Sequence, residues 1–361
     1  MRKKHFISLF CLTLFAISVM FYSVLSQLCV KTYAFSSSSE IVMDVNSGRV
    51  LYQNNANAKK FMASTTKILT AIVIIENCDL DEIVTVTKET VGVEGSSIYL
   101  EVGEKLTVKD LLYGLMLRSG NDCAETLAVH CSGSIKAFAE LMNEFANKLC
   151  VKNSNFTNPH GLHDDNHYTT AYDLAVISAY AMKNPVFKEI ASTKAIRIPF
   201  TTRNTTRYLK NKNKMLNDFD GATGIKTGFT KKAGRCLVSS AERNGMEIVC
   251  VVLNCPPMFE RSKELLNSNF ATYKPYKLVE SDEIIDFVPI ADSEYTCGLY
   301  VKNDVTLPLT NEEKEGIEIV YEYPKIIEKG TKKDSQVGFV KFYSQNNLIF
   351  SEKIYTIIDT D

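Results

Sequence analysis

The sequence predicts an α+β fold in which helices pack on an antiparallel sheet, followed by a separate all-β module. Three observations carry this. Helical signals dominate residues 64–182, strand pairs joined by tight turns stand before and after them, and helix signals nearly vanish beyond residue 274. A chain of 361 residues is long enough to bury two cores.

In chain order, residues 1–34 open with Arg2, Lys3 and Lys4, continue in an apolar run to about Leu25, and end near Thr32 and Ala34 at cleavage positions. This is the layout of an export signal, so the segment is excluded from the fold. The apolar run is nearly long enough to span a bilayer, which makes an uncleaved N-terminal membrane anchor the competing reading. Leu28, where a small residue is wanted, argues against lipid modification of Cys29. Residues 41–52 read as strand, turn and strand about Asn46-Ser47-Gly48. Residues 68–75 form an apolar run without polar residues at helical spacing, the pattern of a helix buried on most sides. Residues 109–118 and 122–130 are helices connected by Ser119-Gly120-Asn121, and another helix starts at Gly133-Ser134.

Residues 153–168, rich in Asn, His, Asp and Gly, read as loop, and Thr170 caps a helix reaching Met182. Residues 224–229, 235–243 and 246–254 are strands, the last two joined by Asn244-Gly245, a strong hairpin signal. A helix over 260–273 places Leu265, Leu266 and Phe270 on one side. Alternating segments at 317–321 and 337–343 are strands of the trailing module. The predicted division is residues 1–34 as signal or anchor, 35–274 as the catalytic domain and 275–361 as the β-rich domain.

Composition excludes some classes. With 41 basic and 42 acidic side chains the net charge is −1, so no global field draws nucleic acid, and nucleic acid is not an expected partner. Eight of ten cysteines lie beyond the signal; export permits disulfides, yet the spacings form no recognisable framework. Cys-x-x-Cys is absent, so no structural zinc site is expected, and Cys250 in its apolar run reads as a small buried hydrophobe.

Three motifs carry chemistry: Ser64-Thr65-Thr66-Lys67, Ser119-Gly120-Asn121 and Lys226-Thr227-Gly228. Each is weak alone; their joint order on suitable elements is specific. Ser64 and Lys67 are one helical turn apart, so the hydroxyl reaches the amine. A serine at a helix start also gains from the positive dipole end, which stabilises negative charge developing beside it. For Lys67 to act as a base its pKa must fall, through desolvation by the apolar helix and the nearby charge of Lys226. On a strand Lys226 and Gly228 share a face, and the glycine admits close approach of a substrate or a second backbone. An edge strand there takes an extended peptide as an added strand. Ser119 offers a hydroxyl to relay a proton, and Asn121 an amide to hold a carbonyl.

With these motifs the chain resembles the serine-type D-alanyl-D-alanine carboxypeptidases, the low-molecular-mass penicillin-binding proteins. Ala63-Ser64-Thr65-Thr66-Lys67, Ser119-Gly120-Asn121-Asp122, Asn158-Pro159-His160-Gly161-Leu162, Thr169-Thr170-Ala171-Tyr172-Asp173-Leu174-Ala175 and Gly224-Ile225-Lys226-Thr227-Gly228 follow that pattern in order over about residues 38–274. The trailing module also resembles the family's C-terminal domain. The resemblance implies the fold of the penicillin-recognising serine transferases and β-lactamases, peptidoglycan stem peptides as substrate, β-lactam antibiotics as covalent inhibitors, and no cofactor or metal. It implies Ser64 as nucleophile, Lys67 as base and Ser119 as relay, with Asn121 binding substrate and Lys67. Lys226, Thr227 and Gly228 would hold the terminal carboxylate, the amides of Ser64 and Phe229 the oxyanion, and Arg261 would assist the carboxylate.

Two positions depart from the pattern. Cys123 stands where the family usually has alanine, and residues 354–361 read as a strand with an acidic end rather than an amphipathic membrane-binding helix. Membrane association would then rest on the N-terminal segment. The competing functions are a serine β-lactamase, a metal-dependent hydrolase using His160, His163 and His167, and a non-catalytic penicillin-binding sensor. The first needs a deacylating base, which the loop after Asn121 does not offer. The second lacks the helix that fixes ligands in most zinc proteases.

Overall fold

The computed structural model describes residues 37–281 and 283–360; the expected signal or anchor, residues 1–34, lies outside the described residues. The chain runs β1 (Ser39–Asp44), β2 (Val50–Asn54), a 3-10 turn (Ala63–Thr66), α1 (Lys67–Asn77), β3 (Ile83–Thr85), β4 (Lys105–Thr107), α2 (Val108–Leu117), α3 (Asn121–Ser132) and α4 (Ile135–Lys148). It continues through α5 (Ala171–Lys183), α6 (Pro185–Ser192), β5 (Ala195–Phe200), β6 (Thr205–Lys210), α7 (Met215–Asp218), β7 (Ala222–Thr230), β8 (Gly234–Arg243), β9 (Met246–Leu253) and α8 (Met258–Thr272). The trailing part holds β10 (Lys274–Val279), β11 (Asp286–Pro289), β12 (Thr296–Tyr300), β13 (Val305–Leu309), α9 (Asn311–Glu315), β14 (Ile317–Glu322), β15 (Gln336–Ser344) and β16 (Asn347–Thr356).

The main sheet has the order β2-β1-β9-β8-β7, and every neighbouring pair is antiparallel. All eight residues of β9 are buried, which is why its sequence is a continuous apolar run instead of an alternating one. Val249, Val251 and Leu253 face the core formed with α1, α2 and α5, whereas Ile248, Cys250 and Val252 face Leu265, Leu266 and Phe270 of α8. The sheet is thus covered on both faces. In α1 every residue from Lys67 to Ile74 is buried, as the all-round apolar run predicts.

Local signals set the helix starts. Thr107 and Asp110 form a reciprocal capping box on α2, Ser134 caps α4, and Thr170 accepts the Asp173 amide at the start of α5. Beyond α8, a five-stranded sheet of order β11-β12-β16-β15-β14 and the β10–β13 pair enclose a separate core including Leu299, Leu307, Val340 and Phe342. Arg49 joins this part to the first, donating to the Pro308 carbonyl and pairing with Glu313. Among the described residues no helix is long and apolar enough to cross a membrane.

Candidate active site

Ser64 lies on the 3-10 turn that leads into α1, rather than in the first α-helical turn. In 3-10 geometry residues three apart eclipse, which sets Ser64 over Lys67; the amine nitrogen is 3.3 Å from Ser64 Oγ. Ala63, just before it, has φ 48°, an uncommon left-handed backbone for an alanine. Gly161 abuts this turn: a Cβ built on it would lie 1.9 Å from the Ala63 carbonyl oxygen, so no side chain fits there without displacing backbone.

Lys67 Nζ has three neighbours: Ser64 Oγ, Asn121 Oδ1 at 2.7 Å and the His160 carbonyl at 2.7 Å. A neutral amine has two hydrogens and one lone pair. In that form the two carbonyl oxygens would take the hydrogens and leave the lone pair for the serine hydroxyl. Burial pushes the Lys67 pKa well below its ordinary value, and the charge of Lys226 pushes in the same direction. Lys226 is itself lowered to about 7, chiefly by burial and then by Lys212.

Asn121 is held in turn. Its Nδ2 donates to the Glu94 carbonyl, which fixes the oxygen toward Lys67. The loop carrying Glu94 is pinned by Asp122, whose carboxylate accepts from Ser97 Oγ and the Leu100 amide. Ser119 has φ 64°, and its buried hydroxyl has no hydrogen-bond partner among the described residues. Burying a hydroxyl unpaired carries a cost, one reason such groups cluster where a ligand completes them.

The third motif lies on β7, an edge strand with a neighbour on one side only. A Cβ at Gly228 would sit 2.9 Å from the Met62 carbonyl and 3.1 Å from the Ser64 amide nitrogen, so glycine is what lets β7 lie against the turn that carries Ser64. A cleft of about 410 Å³ is lined by Ser64, Ser119, Thr227, Gly228 and Phe229, together with Lys212, Lys214 and Arg235. Lys67, Asn121 and Lys226 are buried and are not among its lining residues.

Arg261 is not brought into this group. On α8, its guanidinium donates to both oxygens of Glu40, at 2.8 and 3.1 Å, and also to Glu264 and Tyr52. A carboxylate of the protein engages this fork, and Arg261 is not among the residues that line the cleft. Arg235 on β8 is the arginine at the cleft, stacked 4.7 Å from the Phe229 ring centroid. Sequence reasoning missed Arg235, Lys212 and Lys214. Arg235 had a signal in the register, because the short turn after the third motif sets it directly across from Phe229. Cys123 is buried against Gly114 and Gly120, and burial raises its thiol pKa well above the ordinary value.

The histidine loop binds the scaffold instead of a common ligand. His160 accepts the Leu162 amide at Nδ1 and so carries its hydrogen on Nε2, 3.2 Å from Glu125. His167 accepts the Thr157 amide at Nδ1 and turns Nε2 to Thr66 Oγ1 at 2.8 Å; burial first, then His160, lowers its pKa to about 3. His163 pairs with Asp165 at 3.3 Å and meets the Phe61 ring edge-on. Among the described residues no three metal-ligating side chains converge.

Known proteins match both parts of the chain. Residues 26–256 match the D-alanyl-D-alanine carboxypeptidase family, and residues 273–359 match the penicillin-binding protein 5 C-terminal domain. The chain is 32% identical over 267 residues to the D-alanyl-D-alanine carboxypeptidase DacF of Bacillus subtilis, covering 71% of this chain and 68% of that one. It is 33% identical over 298 residues to DacA of Haemophilus influenzae, covering 78% and 72%. Among solved structures, penicillin binding protein 5 from Haemophilus influenzae superposes with a TM-score of 0.76 at 29% identity, over 89% of this chain and 96% of that one.

Proposed function

The chain belongs to the D-alanyl-D-alanine carboxypeptidase family, and from that premise we propose the following roles for its residues. It is a penicillin-binding serine hydrolase that removes the terminal D-alanine from peptidoglycan stem peptides. Ser64 gives its proton to Lys67 Nζ and attacks the carbonyl carbon of the penultimate D-alanine. The negative charge on the carbonyl oxygen forms beside the backbone amides of Ser64 and Phe229. Collapse breaks the carbon–nitrogen bond; the departing amine takes a proton through the Ser119 hydroxyl. Water, deprotonated by Lys67, then cleaves the ester and restores Ser64. Lys226, Thr227 and Gly228 hold the terminal carboxylate, with Lys212, Lys214 and Arg235 adding positive charge at the cleft.

The observation that carries this reading is the environment of Lys67: a buried amine held by two carbonyl oxygens at 2.7 Å, with Ser64 Oγ as its third neighbour at 3.3 Å. A β-lactamase reading has less support, since no carboxylate lines the cleft and Glu125 is engaged by His160. We assign residues 35–274 to the catalytic domain and 275–361 to the β-rich domain, and place the protein outside the cytoplasm, with residues 1–34 as export signal or anchor. Intact-mass labelling with penicillin, followed by D-alanine release from a diacyl-D-Ala-D-Ala peptide, tests the reading. Ser64→Ala should abolish both; a penicillin adduct on another residue would overturn the assignment.

A further inference from the structure

A second cleft lies beside the catalytic one, and the two share a wall. It measures about 660 Å³, more than the 410 Å³ of the catalytic cleft, and Ile98, Tyr99, Leu100, Phe200, Arg203 and Arg207 are among the residues lining it. The shared wall is the loop over residues 92–101. Ser96 lines the catalytic cleft, whereas Gly95 and Ser97 on either side of it line the second. The same loop carries the Glu94 carbonyl that accepts from Asn121, so the second cleft adjoins the hydrogen bonds that hold Lys67.

Tyr99 stands out on this wall. It is 80% exposed, and its backbone has φ 60°, a conformation rare for a bulky side chain. Its neighbours hold it there: the Tyr99 amide donates to Ser97 Oγ at 2.8 Å, and Arg207 Nη2 donates to the Tyr99 carbonyl at 3.2 Å. Backbone strain of this kind clusters where ligands are clamped. The charges around it are balanced. Arg207 meets both oxygens of the buried Glu104, at 2.8 and 3.1 Å, Arg203 donates to Glu101 at 2.7 Å, and both guanidiniums lie over the Phe200 ring. Two cations and two carboxylates offer no net charge to an ion. An exposed aromatic ring beside planar hydrogen-bonding pairs fits an uncharged ring with an apolar face and a polar edge.

We propose that this cleft binds an N-acetylated sugar ring of the glycan that carries the stem peptide, with Tyr99 as its stacking platform. The proposal rests on the stem-peptide reading and adds a second point of contact to it. Because the sugar and the scissile bond belong to one molecule, even a weak sugar site raises kcat/KM at Ser64. Extended peptide covers about 3.3–3.6 Å per residue, so three residues span on the order of 10 Å, enough to pass over a wall one loop thick.

The chain has no tryptophan, so Tyr99→Trp in the full chain sets a single reporter at the platform. Its emission should change saturably on titration with N,N′-diacetylchitobiose, a neutral disaccharide without peptide, and should do so equally after penicillin has acylated Ser64. No change at millimolar sugar would overturn the site, and a change abolished by penicillin would put the sugar in the catalytic cleft instead. In the native chain, kcat/KM for D-alanine release should be about 3–10-fold higher for a peptide borne on its glycan disaccharide than for the same peptide free, the worth of one aromatic contact. Tyr99→Asn, which keeps a residue tolerant of the left-handed backbone, should abolish that difference, and Tyr99→Phe should retain it. A difference that survives in Tyr99→Asn would remove Tyr99 from glycan binding. Equal release from both substrates in the native chain would overturn the glycan contact alone; release from neither would overturn the functional reading and leave the sugar titration to decide the cleft.

Discussion

Two clusters of ionisable side chains lie against the same serine turn, and they differ in what their hydrogen bonds leave over. The lysine cluster leaves something to react: Lys67 has two carbonyl partners and then Ser64. The histidine cluster leaves nothing, because both ring nitrogens of His160 and of His167 have partners in the scaffold. Histidine is the more usual side chain for proton transfer near neutral pH, yet here burial lowers the pKa of both rings and the scaffold occupies their nitrogens. What distinguishes the proposed reactive group is the hydrogen-bonding capacity its environment leaves unused, not the residue type.

The strongest attack on this contrast is Lys67→Ala, expected to slow acylation by penicillin about 10²–10⁴-fold. His167→Asn should leave the acylation rate within roughly tenfold while weakening the turn; comparable losses in both variants, read by stopped-flow acylation, would erase the distinction. Next in size is the consequence of burying Lys226. Its folded pKa is depressed to about 7 from 10.5. The unfolded chain therefore binds more protons between those values, and stability rises as pH climbs from about 7 to above 10. The penalty is fully present below about pH 7, so Lys226→Met should stabilise the protein there by on the order of 2–5 kcal/mol and by little at pH 11. Denaturant titrations at the two pH values decide it; equal gains would show that charge burial is not the cause.

Activity should follow the two lysines in opposite directions. Rising pH frees the Lys67 lone pair and removes the Lys226 charge. The kcat/KM profile for peptides with a free terminal carboxylate is expected to rise and then fall, while amidated peptides should lack the descending limb. A descending limb of equal steepness for both would separate Lys226 from carboxylate binding. The smallest effect belongs to the histidines: His167→Ala should cost roughly 1–3 kcal/mol through its unpaired neighbours, with D-alanine release insensitive to a chelator.

Much of this was legible in the chain. Residues 68–75 and 248–252 advertise burial on all sides, and Asn244-Gly245 marks its hairpin because only certain residues accept the backbone it needs. Residue types announced Ser64, Lys67, Ser119, Asn121 and Lys226. What stayed hidden acts through backbone or distance. The His160 carbonyl on Lys67 has no side-chain signature, and neither does the close approach of Gly161 to Ala63. The spacing that singled out Arg261 carries no sign of its pairing with Glu40, 221 positions earlier. The β5–β6 hairpin was missed because each strand turns a single residue, Ile198 or Leu209, fully inward, too little for an alternating pattern.

An edge strand that welcomes an extended peptide cannot tell a substrate from a neighbour's backbone by hydrogen bonds alone, and exposed edges of this kind are where proteins join into aggregates. β7 is such an edge, and the turn that follows it carries Lys231 and Lys232, both exposed, with Arg235 just beyond. Two copies meeting edge to edge would bring these cations together, whereas a peptide ending in a carboxylate would meet them with opposite sign. The same charges thus favour a carboxylate-ended guest over a second copy at this edge, and high salt should weaken both effects together.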